Sequence, residues 1–233
     1  MSERNLNTAI IPAAGIGSRM HTDRAKQMLE LGGVPVLVHT LRRFEETPSI
    51  DQVILVLQPS LTSEVLTLLS KYSLKKIARV VGGGAERQDS VYQGLQVIRE
   101  GNAGIVVVHD AVRPFVRPEE IEQVVGRAEA KGAAIMASHA IDTIKQVKQS
   151  TIRRTLDRRV VYMAQTPQAF QYPIIKEAHE RAKAEGFRAT DDSQLVERLG
   201  HKVSVVEGSP INIKITRPFD LKIAEVIHGE FFD

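Results

Sequence analysis

Two glycine-rich turns and two strand ends hold the residues of this chain best suited to chemistry. The first turn follows the apolar run Ile10-Ile11-Pro12 and reads Ala13-Ala14-Gly15-Ile16-Gly17-Ser18-Arg19-Met20, with Ala25-Lys26-Gln27 close behind. Glycines at such a turn free backbone N–H groups to meet a polyphosphate, and Arg19 and Lys26 place two cations around it. Pro12 can end the strand, and the small Ala13 and Ala14 keep side chains out of the way. Met20 stands where the dinucleotide fingerprint G-x-G-x-x-G needs its third glycine, and no G-x-x-x-x-G-K-[ST] string occurs in the chain. What remains is a phosphate-binding turn of another class.

The second turn, Gly82-Gly83-Gly84-Ala85-Glu86-Arg87-Gln88-Asp89-Ser90, begins with three glycines in a row. That run costs conformational entropy on folding and suits a place where something packs directly against backbone. Ser90 falls early in the next helix, where it can cap the helix or hydrogen-bond a ligand. A third string, Val106-Val107-Val108-His109-Asp110-Ala111-Val112-Arg113-Pro114, runs an apolar strand into an acid. In open α/β sheets ligands sit beyond the carboxyl ends of strands, so Asp110 is placed to hold Mg²⁺ beside a triphosphate. His109 should point the other way and act in packing or hydrogen bonding. The fourth string, Asn212-Ile213-Lys214-Ile215-Thr216-Arg217-Pro218, puts Lys214 at a further strand-to-helix junction. The seven histidines show no H-x-x-x-H spacing, so a zinc site is unsupported.

The elements that must position these residues follow from periodicity. Strands are expected at Thr8–Pro12, Gln52–Leu57, Ile77–Val81, Gly104–His109, Ala133–Ser138 and Lys202–Val206. Leu37, Leu41 and Phe44 fall at helical spacing, as do Val91, Leu95 and Ile98, and Ile121, Val124, Val125 and Ala128. Pro118 sits where a first helical residue is expected. Further helices are expected near Pro173–Ala184, near Asp191–Leu199 and from Pro218 to about His228. Continuously apolar strands alternating with helices give an α/β fold with a mostly parallel sheet. The alternation breaks over residues 141–161, too charged for a central strand, and this segment is expected to be an exposed β-hairpin or arm that pairs with a second copy of the chain.

Composition narrows the classes. Without cysteine, disulfides, thiol nucleophiles and Cys-ligated zinc are excluded, and the chain suits a reducing cytoplasm. No apolar run has membrane-spanning length, and residues 1–8 lack a signal-peptide core, so a soluble cytoplasmic protein is expected. The net charge of +3 fits an anionic ligand. The densest basic run, Arg153 to Arg159, has no interleaved aromatic residue, which argues against a single-strand stacking platform and against nucleic acid as partner.

Taken in order, "AAGIGSRM…AKQ", "GGGAERQDSV", "HDAVRPF", "DTIK", "QTPQAF", "TDDSQLVE" and "EGSPINIKITRPFDL" resemble the 2-C-methyl-D-erythritol 4-phosphate cytidylyltransferases of non-mevalonate isoprenoid biosynthesis across nearly the whole chain. The resemblance implies one Rossmann-like nucleotidyltransferase domain over residues 1–233, with CTP and Mg²⁺ as requirements and a homodimer clasped through the 141–161 arm. It implies that Ala13, Ala14, Gly15 and Gly17 hold the triphosphate with Arg19 and Lys26. Gly84, Ala85 and Ser90 would receive cytosine and ribose, and Asp110, with Ala111 beside it, would approach the metal. The polyol phosphate would be held by Arg113, Thr143, Arg158, Thr166, Thr190 and Lys214, with Thr143 and Arg158 reaching into the neighbouring subunit. Arg19, Lys26 and Lys214 would be the cations that neutralise charge during the reaction. Some members carry an acid before the Asn-Ile-Lys string; here it is Ile211, whose side chain cannot hydrogen-bond a substrate hydroxyl.

Three other readings remain open on sequence alone. A ribitol 5-phosphate cytidylyltransferase would use similar loops on a similar polyol phosphate. A nucleotide-binding regulator would bind without forming product. A nucleic-acid-binding protein would work through the Arg153–Arg159 run and show steep salt dependence.

Overall fold

The computed structural model describes residues 5–15 and 25–231. Gly17 and Arg19, both candidate phosphate ligands, lie outside the described residues. Strands β1 (Leu6–Pro12), β4 (Gln52–Leu57), β5 (Ile77–Gly82), β6 (Ala103–Val108), β7 (Ala133–His139), β10 (Tyr162–Gln171) and β11 (Ser204–Glu207) form one seven-stranded sheet in the order β11-β7-β10-β6-β1-β4-β5. Two shorter ladders stand apart from it: β2 (Glu30–Leu31) with β3 (Val34–Pro35), and β8 (Lys145–Lys148) with β9 (Thr151–Thr155).

Alternation along the strands divides the core in two. Ala9 and Ile11 of β1, with Val53 and Leu55 of β4 and Val107 of β6, face one side; Ile10, Ile54, Val56, Val106 and Val108 face the other. Helices α1 (Val36–Glu46), α2 (Thr62–Lys71) and α4 (Pro118–Lys131) cover the first side through residues such as Leu41, Phe44, Val65, Ile121 and Val124. Helices α3 (Arg87–Gln96), α5 (Tyr172–Glu185) and α6 (Asp192–Arg198) cover the second through Val91, Leu95, Ile175, Ala178 and Leu195. Since both faces are covered, the central strands are apolar at nearly every position. A third apolar cluster, built on Phe115, Ile215, Ala224 and Ile227, docks α7 (Pro218–Phe231) against the body. Among the described residues no helix is long and apolar enough to cross a membrane.

The expected strands and helices are present with ends shifted by up to three residues, and Pro118 opens α4 as anticipated. One central element was not expected. Strand β10 runs antiparallel between β6 and β7 and makes an otherwise parallel sheet mixed. Its sequence, YMAQTPQAFQ, carries glutamines and a proline that argue against a central strand. The structure accommodates the proline where pairing with β7 is interrupted, between Ala164 and Gln168, at a cis Thr166–Pro167 bond.

The 141–161 segment forms the expected hairpin. Gln149 and Ser150 take positive φ of 49° and 61°, as a two-residue turn matched to strand twist requires. Every residue of β8 and β9 is exposed, and so are the apolar side chains Ile141 and Val160 on the flanks, at 73% and 76%.

Candidate active site

The carboxyl ends of β1, β5 and β6 meet because β1 lies beside β6 and β4, and β4 beside β5. The loops leaving them enclose a cleft of about 260 Å³. Ala13, Ala14, Gly15, Lys26, Gly84, Ala85, Ser90, Asp110, Ala111 and Lys214, ten residues expected from sequence, all line it.

The two glycine turns support each other. Gln27, buried, donates to the Ala13 carbonyl at 2.6 Å and holds the first turn closed. Gly83 donates to the Leu57 carbonyl at 2.8 Å, and a Cβ added at Gly83 would fall on the Cβ of Ala14. Gly83 is therefore needed for the close approach of one turn to the other, and Gly84 for the packing of Asp89 of α3 against the second turn. Ser90 does not cap α3. Glu86 does, in a reciprocal capping box with Asp89. The Ser90 hydroxyl instead accepts from the Gly84 N–H at 3.2 Å and donates to the Glu86 carbonyl at 3.1 Å, shaping the second turn from within.

Asp110 lies just past β6 with its carboxylate at the centre of a charge cluster. Oδ1 accepts from Arg87 Nε at 2.9 Å; Oδ2 pairs with Lys214 Nζ at 2.8 Å and faces Arg113 Nε at 3.5 Å. Burial alone would raise the Asp110 carboxyl, but Arg87, Lys214 and Arg113 together hold it well below the usual carboxylate range. Its backbone N–H donates to the buried Thr166 hydroxyl at 3.1 Å. His109 points away, packs on Phe44 and shares Nε2 with the Arg113 carbonyl at 3.0 Å; burial lowers it to about 4, so it is neutral.

Lys214 is placed by its neighbours. Ile215 is fully buried in the third cluster and its N–H donates to the Val112 carbonyl at 2.9 Å. Arg113 Nη1 donates to the Asn212 carbonyl at 2.6 Å, and the Asn212 amide donates to the Thr166 carbonyl at 2.9 Å. Just beyond, Asp220 accepts from the backbone N–H groups of Thr216 and Arg217 and fixes the start of α7.

Other expected residues lie outside the cleft. Arg113 sits behind Asp110 and Thr166 beneath it. Thr190 is exposed and bonded to Gln194. Thr143 and Arg158 are exposed on the hairpin segment, Arg158 donating to the Ile141 carbonyl at 2.8 Å, and neither lines the cleft of its own chain. Ile211 packs against the third apolar cluster.

Sequence reasoning missed Arg87, Asp192 and His179. Arg87 lines the cleft and binds Asp192 Oδ2 through Nη1 at 2.7 Å, and His179 Nε2 meets Asp192 Oδ1 at 3.0 Å. Burial opposes the charge on Asp192, yet Arg87 and His179 lower its carboxyl to about 2. Its stabilisation is therefore complete above the unfolded value near 4 and is lost as pH falls toward 2. By pH 3 wild type should have lost about 1 kcal/mol of stability on this account. Urea unfolding at pH 6 and pH 3 should show that loss in wild type but not in Asp192→Asn.

Among the described residues no group of three metal-ligating side chains exists. Both oxygens of the Asp110 carboxylate already face cations. That donor set suits a Mg²⁺ carried by nucleotide phosphates and touched by the protein at one point.

The family model for 2-C-methyl-D-erythritol 4-phosphate cytidylyltransferase (IspD) matches residues 7–230. This chain belongs to that family. Curated cytidylyltransferases of this name from Syntrophus aciditrophicus and Bacillus cytotoxicus are 48% and 45% identical to it, covering 93% and 94% of this chain and 93% and 96% of theirs. A crystal structure of 4-diphosphocytidyl-2C-methyl-D-erythritol synthase from Anaerococcus prevotii superposes with a TM-score of 0.87 at 35% identity, covering 97% of this chain and 96% of that one. Family membership makes the chain a nucleotidyltransferase. Strand β10, the element that sequence periodicity did not reveal, supplies the Thr166 hydroxyl that accepts from the Asp110 backbone N–H.

Proposed function

We propose that the chain transfers CMP from CTP to 2-C-methyl-D-erythritol 4-phosphate, releasing pyrophosphate and forming 4-diphosphocytidyl-2-C-methyl-D-erythritol. The observation that carries this reading is the convergence of both glycine turns, Asp110 and Lys214 on one cleft. The charged residues lining the cleft are Lys26, Arg87 and Lys214 against Glu86 and Asp110, an excess of one positive charge, with Arg113 behind Asp110. Such an excess draws in a polyanion and opposes the repulsion between two phosphates.

The acceptor phosphate is ionised at neutral pH, so the reaction needs no general base. Its oxygen attacks the α-phosphorus of CTP in line, a P–O bond forms, and the bond to the β-phosphate oxygen breaks. Ala13 to Gly15 and Gly84 to Ala85 present backbone to the nucleotide, while Lys26 and Lys214 neutralise charge where it grows. Asp110 would touch a Mg²⁺ entering with the nucleotide, which would supply further charge neutralisation at the phosphates. The diol contact that the Ile211 side chain cannot make falls to the backbone beside it or to Thr190. The exposed hairpin, with Thr143 and Arg158, completes the acceptor site of a second subunit.

Pyrophosphate release with CTP and Mg²⁺, run on methylerythritol 4-phosphate and ribitol 5-phosphate side by side, tests this reading. Fast release with the first alone is expected. Release mainly with ribitol 5-phosphate would reassign the acceptor, and release with neither would leave a nucleotide-binding protein without catalysis.

A further inference from the structure

The first turn of α3 ties two parts of the site together. It follows directly on the second glycine turn, whose Gly84 and Ala85 line the nucleotide cleft. Its first three residues each grip the segment 187–192 that leads into α6. Arg87 binds Asp192; Gln88 donates to the Phe187 carbonyl at 3.1 Å and accepts from the Ala189 N–H at 3.0 Å; Asp89 pairs with Arg188 at 2.6 Å. Thr190, an acceptor-side residue in the proposed reaction, lies within this gripped segment.

Arg87 goes further than its neighbours because it also reaches the cleft. One guanidinium bridges Asp110, just past β6, and Asp192, the first residue of α6. His179 of α5 holds the far oxygen of Asp192, and both of these side chains are 1% exposed. An unbroken line, His179–Asp192–Arg87–Asp110–Lys214, thus crosses the molecule from α5 to the cleft. A planar guanidinium can serve two carboxylates at once through separate N–H groups, and a lysine ammonium on a flexible stem cannot reproduce that fork.

We propose that Arg87 is a positioning residue that couples the acceptor-side segment to the nucleotide-side acid. Through Asp192 it fixes the rotamer and place of the Asp110 carboxylate, and so the Lys214 ammonium that Asp110 holds. The inference rests on the reading of the cleft as a cytidylyltransfer site, because only a reaction there makes the placement of Lys214 count.

The test uses Arg87→Lys, Asp192→Asn and the double variant of the full chain, each checked for native circular dichroism. Turnover is measured with CTP, Mg²⁺ and methylerythritol 4-phosphate, and CTP affinity by calorimetry. Each single variant is expected to lose roughly tenfold in kcat through misplacement, with CTP affinity within about threefold of wild type. The double variant should match the worse single rather than multiply the losses, since both cut one linkage. Lysine restores the charge but not the bridge, so Arg87→Lys at wild-type kcat would overturn the proposal. Multiplying losses, or a loss confined to CTP affinity, would overturn it as well. If either single variant fails to fold, the other keeps both readouts. A wild type that releases no pyrophosphate would instead refute the cytidylyltransfer reading.

Discussion

Lys214→Ala is expected to lower kcat about a hundredfold, equivalent to about 3 kcal/mol of transition-state stabilisation, and to lower turnover more than CTP affinity. In the proposed reaction the backbone of two glycine turns carries most of the hold on the nucleotide, so CTP binding should suffer less than turnover from the loss of Lys214. Negative charge grows on the phosphates only as the reaction proceeds, and Lys214 is held beside that place by Asp110 Oδ2 at 2.8 Å. The fold should survive too, since Lys214 is partly exposed and Ile215, which anchors the segment, is untouched. Lys26→Ala, at the same cleft, should behave alike. Steady-state kinetics decide the matter: normal turnover in both variants would sink the mechanism, and a rise in KM alone would make the two lysines binding groups.

The same residue shows what sequence could and could not convey. Asp110 was visible as an acid ending an apolar strand, and a strand end in an α/β sheet has a predictable position. Lys214 was expected at a strand-to-helix junction, but β11 ends at Glu207 and Lys214 lies in the loop before α7, brought to the cleft by the Ile215 N–H bond to Val112. Arg87 was equally visible as a letter in the second glycine turn, but its role comes from a partner 105 positions away. Nothing local in GGGAERQDS announces that pairing. Strand β10 was hidden for a different reason: Gln165, Thr166 and Gln168 are buried polar residues that satisfy one another, Ser138, Asp191 and Asn212 through side-chain hydrogen bonds. A period-based reading takes polar letters as solvent-facing, and here they are buried and hydrogen-bonded within the fold instead. The hairpin was legible in outline because an exposed, charged, alternating segment bounded by a turn has few other uses.

The exposed hairpin sets up the last test, made by mixing two crippled proteins. Arg158→Ala and Lys214→Ala should each retain a few per cent of activity or less, as for loss of a charged contact worth about 2–3 kcal/mol. In its own chain Arg158 does not line the cleft, and the hairpin exposes Ile141, Val147, Ile152 and Val160, more apolar surface than an arm in water requires. If the arm completes the partner's site, a mixed dimer carries one site with Lys214 from one chain and Arg158 from the other, both intact, beside one site lacking both. Equal mixing makes half of the dimers mixed, so about a quarter of all sites should recover. Co-expression with two different affinity tags isolates the mixed species, in which half of the sites should work. An arm that serves its own chain gives no such recovery: the mixture would remain as inactive as its components, and the hairpin's exposed apolar residues would need a partner other than the active site of a second copy.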